Sequence, residues 1–242
     1  MILNRILIAL AVVFLFSPVA NADLSKGILD DGEFNLATSG TVTSNSGWQT
    51  GIDVVNRPDG VNWAMQFETS AEARSDGAPG DGGGFWFRPF EGRQSAGNPL
   101  AEGTLSQSVA AGSNNDFVLS VDWAREADFQ ATVWTVTFSK SGLGGTDSLT
   151  FDLLAATGAV GNFDEILSSQ GGPNVFDLRL NGISATDTLE VFVEMRGGED
   201  NGGSANQSGY LDNFNLRAVP EPTSTGILML STLGLIGFRR RR

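Results

Sequence analysis

Apolar and polar side chains alternate along several stretches of this chain, and this alternation constrains the fold more than any other feature of the sequence. The stretches are 61–68, 117–123, 134–138, 149–153 and 189–195. A period of two is typical of β-strands with one face in a core and the other in solvent. Glycine-, asparagine- and aspartate-rich segments separate the stretches and indicate turns. We therefore predict an all-β domain, an antiparallel β-sandwich. Its expected core includes Trp63, Phe67, Leu119, Val121, Val136, Phe151 and Val191.

Residues 1–22 have the three parts of a secretory signal peptide. Arg5 supplies the positive charge, residues 6–16 are apolar, and the small residues Ala20 and Ala22 flank Asn21 at the cleavage site. The alternative is an N-terminal membrane anchor, but the apolar stretch is short for a span. We predict an exported protein that uses the general secretion machinery and whose mature chain begins at Asp23.

The charge of the expected mature domain is strongly negative. The chain has 15 basic and 28 acidic residues; five of the basic residues and none of the acidic ones lie in segments 1–22 and 222–242. Residues 23–221 therefore hold 10 basic and 28 acidic residues, a net charge of −18. Such a surface repels nucleic acid and anionic membranes, so no nucleic-acid partner is expected.

The absence of cysteine and histidine limits the chemistry further. Disulfides, thiol catalysis, histidine acid–base catalysis and zinc sites with Cys or His ligands are all excluded. Acidic residues are plentiful, but no pair stands in a recognisable glycosidase motif, and the required separation of ~5–10 Å cannot be read from sequence. We predict a protein that is not an enzyme.

The C-terminal segment combines three features in order. Val219, Pro220, Glu221 and Pro222 lead into an apolar run over 226–238, and Arg239, Arg240, Arg241 and Arg242 end the chain. A helix over 223–238 would be about 24 Å long, short of the ~30 Å apolar core of a bilayer. Snorkelling arginines and local thinning permit a short transmembrane helix. The alternative is a C-terminal core helix, but the run has no polar face.

This arrangement resembles the PEP-CTERM sorting signal of Gram-negative, polysaccharide-secreting bacteria. The resemblance implies recognition and removal of the tail by the membrane protease exosortase. It also implies an intermediate held transiently in the inner membrane, then delivery to the cell surface or extracellular matrix. The predicted organisation is a signal peptide over 1–22, a β-sandwich domain over 23–218 and a sorting segment over 219–242.

The body of the chain is similar at three places to galactose-binding-like jelly-roll domains. Residues 31–35 followed by 46–48 resemble the opening of that fold, 105–109 with 117–123 its middle strands, and 210–214 its closing strand. The resemblance implies a jelly-roll topology. Many carbohydrate-binding modules share this fold, although a fold does not fix a function.

The same resemblance implies a structural calcium ion between the first and last strands. Glu33 and Asp212, with Asp31 nearby, supply carboxylate oxygens of the kind that calcium prefers. Asn35 departs from the family, which usually has Glu there. The alternative is that Asp30, Asp31 and Asn213 are ordinary turn residues with Asx bonds. No other cofactor is required.

A glycan contact is expected at Trp86. Residues 85–87 are consecutive aromatics, so the alternation of a strand turns Trp86 away from the face that Phe85 and Phe87 share. Arg88 and Glu91 nearby are suited to bonding sugar hydroxyls. The alternative is an edge strand that packs one aromatic face and is covered by the preceding glycine loop.

The leading functional hypothesis is therefore an exported, structural or adhesive protein associated with extracellular polysaccharide. A discrete carbohydrate-binding module with a defined sugar site is the second hypothesis. A polysaccharide hydrolase is the third.

Overall fold

The computed structural model describes most of the predicted domain. The described residues are 28–30, 32, 40–41, 48–54, 64–68, 84–92, 99–157, 160–161, 174–200, 202 and 207–219. The signal peptide, the segment from Pro220 to Arg242, Asp31, Glu33, Trp63 and the side chain of Phe67 lie outside this set. The described part of the chain contains no α-helix with the length and hydropathy of a membrane span.

In the part of the chain that the structure describes, twelve strands form two sheets. The seven-stranded sheet contains β1 (Gly40–Thr41), β3 (Met65–Glu68), β4 (Gly84–Phe87), β6 (Asn115–Glu126), β9 (Val160–Gly161), β10 (Asn174–Ile183) and β12 (Gly209–Val219). The five-stranded sheet contains β2 (Gln49–Val54), β5 (Ala101–Ala110), β7 (Val133–Gly142), β8 (Gly145–Asp152) and β11 (Thr188–Gly198). A 3₁₀ turn, Pro89–Glu91, follows β4.

The pairing is antiparallel except where β9 runs parallel to β6. The order is β1-β3-β4-β12-β6-β10 in one sheet and β2-β5-β11-β7-β8 in the other. Aromatic side chains from the two sheets meet between them: Phe87 lies 5.7 Å from Trp134, and Phe151 stacks on Phe176 at 4.0 Å between ring centroids. The predicted antiparallel β-sandwich is confirmed.

The alternating residues define the core. Leu119, Val121, Val136 and Val191 are fully buried, as predicted, whereas Phe151 is half-buried at the edge. Trp123 and Trp134 lie in the same core. The alternation therefore identified the buried face of each of these strands.

The last strand is held in place up to its final residue. Val219 pairs with Asp116, and the Arg217 guanidinium donates a hydrogen bond to Ser120 Oγ at 2.6 Å. Ser120 Oγ in turn donates to Asp177 Oδ1 on β10. The predicted sorting segment therefore starts directly at the end of a strand of the sheet.

Candidate functional site

Trp86 lies on the outer face of the seven-stranded sheet. Phe85 and Phe87 are fully buried on the core side, and Trp86 is half-buried on the other, in agreement with the alternation. Tyr210 stands opposite Trp86 on β12, and the two rings stack at 6.2 Å with an interplanar angle of 12°. The alternative interpretation of β4 as an edge strand is wrong, because β3 and β12 pair with it on its two sides.

Arg88 lies over the same ring, and Glu91 is joined to Arg88. The Arg88 guanidinium lies 4.6 Å from the Trp86 ring centroid, a cation–π arrangement, and forms an ion pair with Glu91. Both charged residues are buried. The three candidate residues are therefore gathered at one place, with the guanidinium and carboxylate bonded to each other. A glycan contact at Trp86 stays a prediction.

The opening segment and the closing strand lie side by side. The Ile28 amide donates to the Leu216 carbonyl at 2.8 Å, and the Phe214 amide donates to the Gly32 carbonyl at 2.9 Å. Asp212 is buried on β12 opposite Asp122. Asp31 and Glu33 lie outside the described residues, within which no group of three or more acidic, His or Cys side chains is placed to hold a metal. The calcium site stays a prediction.

A local turn shapes the backbone at Asp212. Asn213 adopts a left-handed conformation with φ of 51°, which asparagine tolerates better than most residues. Its amide group donates to Asp122 Oδ2 at 2.8 Å, and its backbone N–H donates to Asp212 Oδ1 at 2.7 Å. These bonds hold the two opposed carboxylates beside a bulge in the strand.

Calcium binding at Asp212 is expected to raise the melting temperature, because a ligand that binds only the folded state stabilises it by mass action. The measurement is thermal unfolding in saturating calcium and in chelator. Asp212→Asn keeps the volume of the side chain and should abolish the difference. Identical melting temperatures of the wild type in calcium and chelator would exclude a tight site.

The five-stranded sheet has a second outer face, which holds none of the binding residues predicted from the sequence. We call it the hydroxyl face. It consists of the outward residues of β5, β11, β7 and β8 in four adjacent rows of the register, from Thr188 to Glu194 on β11. Its members are Thr104, Ser106, Ser108, Ala110, Thr135, Thr137, Ser139, Ser141, Thr146, Ser148, Thr150, Asp152, Thr188, Glu190, Phe192 and Glu194, all of them half-buried or exposed.

Phe192 occupies the middle of the hydroxyl face. In its row, Ser106 lies on one side and Thr137 on the other, with Thr150 beyond. The hydroxyls of Thr137 and Thr150 are hydrogen-bonded at 2.9 Å. The face thus places one aromatic ring, half-buried, in a row of small hydroxyl side chains.

Two carboxylates flank Phe192 along β11. Glu190 precedes it and Glu194 follows it on the same face, and Glu194 is ion-paired with Arg196 at 2.8 Å. An aromatic ring offers an apolar surface for the face of a sugar, while carboxylates and hydroxyls bond to its hydroxyl groups. The hydroxyl face has the chemistry of a sugar-binding surface.

A signal for this face was present in the sequence. The alternation over 189–195 placed Glu190, Phe192 and Glu194 on the side away from the core. An aromatic residue on the polar side of an otherwise regular pattern is the signal that identifies such a face. The neighbouring rows of Ser and Thr could not be found in the same way, because they depend on which strands pair.

Residues 218–242 match the family model of the PEP-CTERM protein-sorting motif. The predicted sorting signal is therefore confirmed, and it marks the chain as an exported protein that passes through a membrane. No curated protein gives a significant match to the sequence.

Several solved structures are similar in fold. The enzymatically active domain of tailspike protein 4 from bacteriophage CBA120 has 11% identity and a TM-score of 0.48, covering 81% of this chain and 22% of that one. TmCBM61 in complex with β-1,4-galactotriose has 15% identity and a TM-score of 0.40, covering 72% and 90%. The CBM22-1 xylan-binding domain of Paenibacillus barcinonensis Xyn10C has 14% identity and a TM-score of 0.35, covering 73% and 88%. At these scores, the similarities assign neither a ligand nor an activity to this chain.

Proposed function

We propose that this chain is a non-enzymatic protein of the cell surface or extracellular matrix that binds extracellular polysaccharide through the hydroxyl face. The observation that carries the proposal is the position of Phe192, at the centre of an outer sheet face and surrounded by hydroxyl and carboxylate side chains. Stacking of a sugar ring on Phe192 would leave the neighbouring groups to bond its hydroxyls.

The charge of the site favours an uncharged glycan. Glu190 and Glu194 flank the ring, and the mature domain carries a net charge of −18. A polysaccharide rich in carboxylates or sulfates would be repelled by this field. A shallow face with one ring is expected to bind in the millimolar-to-micromolar range, about −4 to −8 kcal/mol.

Glu190 and Glu194 lie on either side of Phe192, four residues apart on one strand, with backbone positions separated by about 13 Å. In a glycosidase, the two catalytic carboxyl groups act on two sides of the scissile bond, roughly 5–10 Å apart. We propose that Glu190 and Glu194 bond the hydroxyls of a sugar stacked on Phe192 and have no catalytic role.

Affinity electrophoresis tests the proposed function. The full chain is expected to be retarded in native gels that contain a neutral polysaccharide from an exporting host, and to release no reducing ends from it. Gels with an anionic polysaccharide serve as the matched comparison and should retard it less. Unretarded migration in every neutral polysaccharide, or release of reducing ends, would contradict the proposal.

Sorting makes a separate prediction about the mature chain. We expect the protein recovered from the surface or medium of its native host to lack residues 1–22 and the arginines Arg239–Arg242, because the terminal signals direct both removals. Intact-mass spectrometry is the measurement. An extracellular form that retains the four arginines would show that the tail is not removed.

A further inference from the structure

The first and last described residues of the domain lie toward the same end of the sandwich. Val219 pairs with Asp116 at the start of β6. The Ile28 amide donates to the Leu216 carbonyl and the Phe214 amide donates to the Gly32 carbonyl, so this pairing is antiparallel and Ile28 lies on its Val219 side. We call this part of the molecule the Val219 end.

Among the described residues, three connections form the surface of the Val219 end. They are residues 111–114 between β5 and β6, 143–144 between β7 and β8, and 184–187 between β10 and β11. The register places them together, since Ile183 pairs with Asn115, and Thr188 pairs with both Ala110 and Ser141.

Hydrogen bonds join these connections into one unit. The Gly112 amide donates to the Ala185 carbonyl at 3.2 Å, and the Ala185 amide donates to Asn114 Oδ1 at 2.7 Å. A Cβ on Gly142 would overlap the Asp187 carboxylate, so the β7–β8 hairpin packs directly on the third connection. The three connections of the Val219 end therefore form one continuous surface and are not independent loops.

The part of the Val219 end that the structure describes is nearly neutral, in a strongly acidic domain. The exposed or half-buried side chains of its connections are uncharged, and the one acid among them, Asp187, is buried. Asp116 is paired with Arg179 at 2.7 Å, a contact that lowers the pKa of the Asp116 carboxyl, and Lys140 stands opposite Asp147. The opposite end of the sandwich carries Asp128, Glu199 and Asp200.

Leu143 stands at the tip of this surface. It lies between Gly142 and Gly144 in the hairpin turn and is 101% exposed. Its exposure places a large apolar side chain in solvent at the end where the terminal apolar segments depart. When an apolar side chain on a surface that faces a bilayer moves from water into the bilayer interface, the free energy of the protein–membrane system falls.

The number of residues between Val219 and the apolar run limits how far this surface can lie from a membrane that holds the tail. Six residues, 220–225, separate Val219 from the apolar run that starts at Gly226. Fully extended, the chain from Val219 to Gly226 spans at most about 25 Å. While the tail is in the membrane, the Val219 end therefore cannot move far from the lipid headgroups.

From these observations we propose that, in the membrane-tethered precursor, the Val219 end faces the bilayer and Leu143 contacts the phospholipid interface. The partner is a lipid surface, contacted by the three connections, whose exposed side chains are uncharged, and by the apolar side chain of Leu143. In this orientation, the strands that form the hydroxyl face extend away from the membrane. This proposal rests on the sorting tail and is independent of glycan binding.

Because the chain has no cysteine, a thiol-reactive dye labels only a cysteine introduced by substitution. Leu143→Cys, labelled with an environment-sensitive dye, is compared with Gln130→Cys, an exposed position at the opposite end. The two are separated by roughly the ten residues of β7, or about 33 Å. Full-length protein is reconstituted into zwitterionic vesicles containing headgroup-nitroxide lipid and recovered by flotation. Both variants should melt within a degree or two of the wild type, because both side chains are exposed.

We expect quenching by the nitroxide lipid to be several-fold stronger at position 143 than at position 130. Equal quenching at the two positions, or stronger quenching at position 130, would overturn the proposed orientation. Failure of the full chain to float with the vesicles would overturn the proposed tethering. Retention in polysaccharide gels is measured on the same variants, and its loss or persistence bears only on the proposed function.

Discussion

Replacing Leu119 with alanine is expected to lower the free energy of unfolding by about 2–5 kcal/mol. Leu119 is fully buried in β6, the strand that β12 and β10 both pair with, and stands opposite Leu216 and Leu178. Removing its side chain would leave a cavity between residues that are fixed by pairing on two sides. Equilibrium unfolding in urea measures the loss, which should appear as a lower midpoint with little change in slope.

Leu143→Ala provides the matched control, because the chemical change is the same and Leu143 is fully exposed. Its free energy of unfolding should stay within about 0.5 kcal/mol of the wild type. Similar losses in the two variants would mean that Leu119 does not lie in a packed core, and would contradict the arrangement of the central strands.

Replacing Phe192 with alanine is expected to abolish retention by neutral polysaccharide. The ring is the large apolar group in the middle of the hydroxyl face, so its removal leaves hydroxyls and carboxylates with no surface for stacking. A tenfold weaker affinity corresponds to about 1.4 kcal/mol, and binding that is weak from the start would fall below detection. The melting temperature should fall only slightly, because Phe192 is half-buried. Affinity electrophoresis and thermal unfolding of the same preparation separate the two effects.

Two companion variants make the test specific. Phe192→Tyr keeps the ring and should restore retention. Trp86→Ala tests the candidate site on the other sheet and should reduce stability, because Trp86 contacts Tyr210 and Arg88. If Phe192→Ala still binds, or if Trp86→Ala alone abolishes retention without loss of stability, the glycan site is not the hydroxyl face.

The β-sandwich could be predicted from the sequence because the alternation of apolar and polar residues is a local signal. Alternation over 117–123 and 189–195 depends only on which side of a strand faces the core, and the burial of Leu119, Val121, Val191 and Val193 follows it. The same alternation is present over 174–183, where Phe176, Leu178 and Leu180 are buried, although this strand is not among the five stretches from which the sandwich was predicted.

Which strands pair in a sheet depends on residues far apart in the sequence, so the strand pairing could not be predicted from the local pattern. Nothing near residues 84–87 indicates that β12, more than 120 residues later, pairs with β4 and places Tyr210 against Trp86. The pairing of Arg88 with Glu91 depends on the 3₁₀ turn that follows β4.

The same limit applies to the candidate site. The outward position of Phe192 can be read from its own strand, but its neighbours Ser106 and Thr137 come from strands distant in sequence. A row of hydroxyls across a sheet is a property of register, and register is set by the packing of the whole sandwich.

Titration of the isotopically labelled wild type with a neutral oligosaccharide, followed by two-dimensional amide NMR, tests binding at the hydroxyl face most directly. It requires no substitution and reports on both sheets at once. The largest shift changes are predicted at Phe192 and its row neighbours Ser106 and Thr137. Changes confined to Trp86, Arg88 and Tyr210 on the seven-stranded sheet, or no changes at saturating oligosaccharide, would contradict the proposed site.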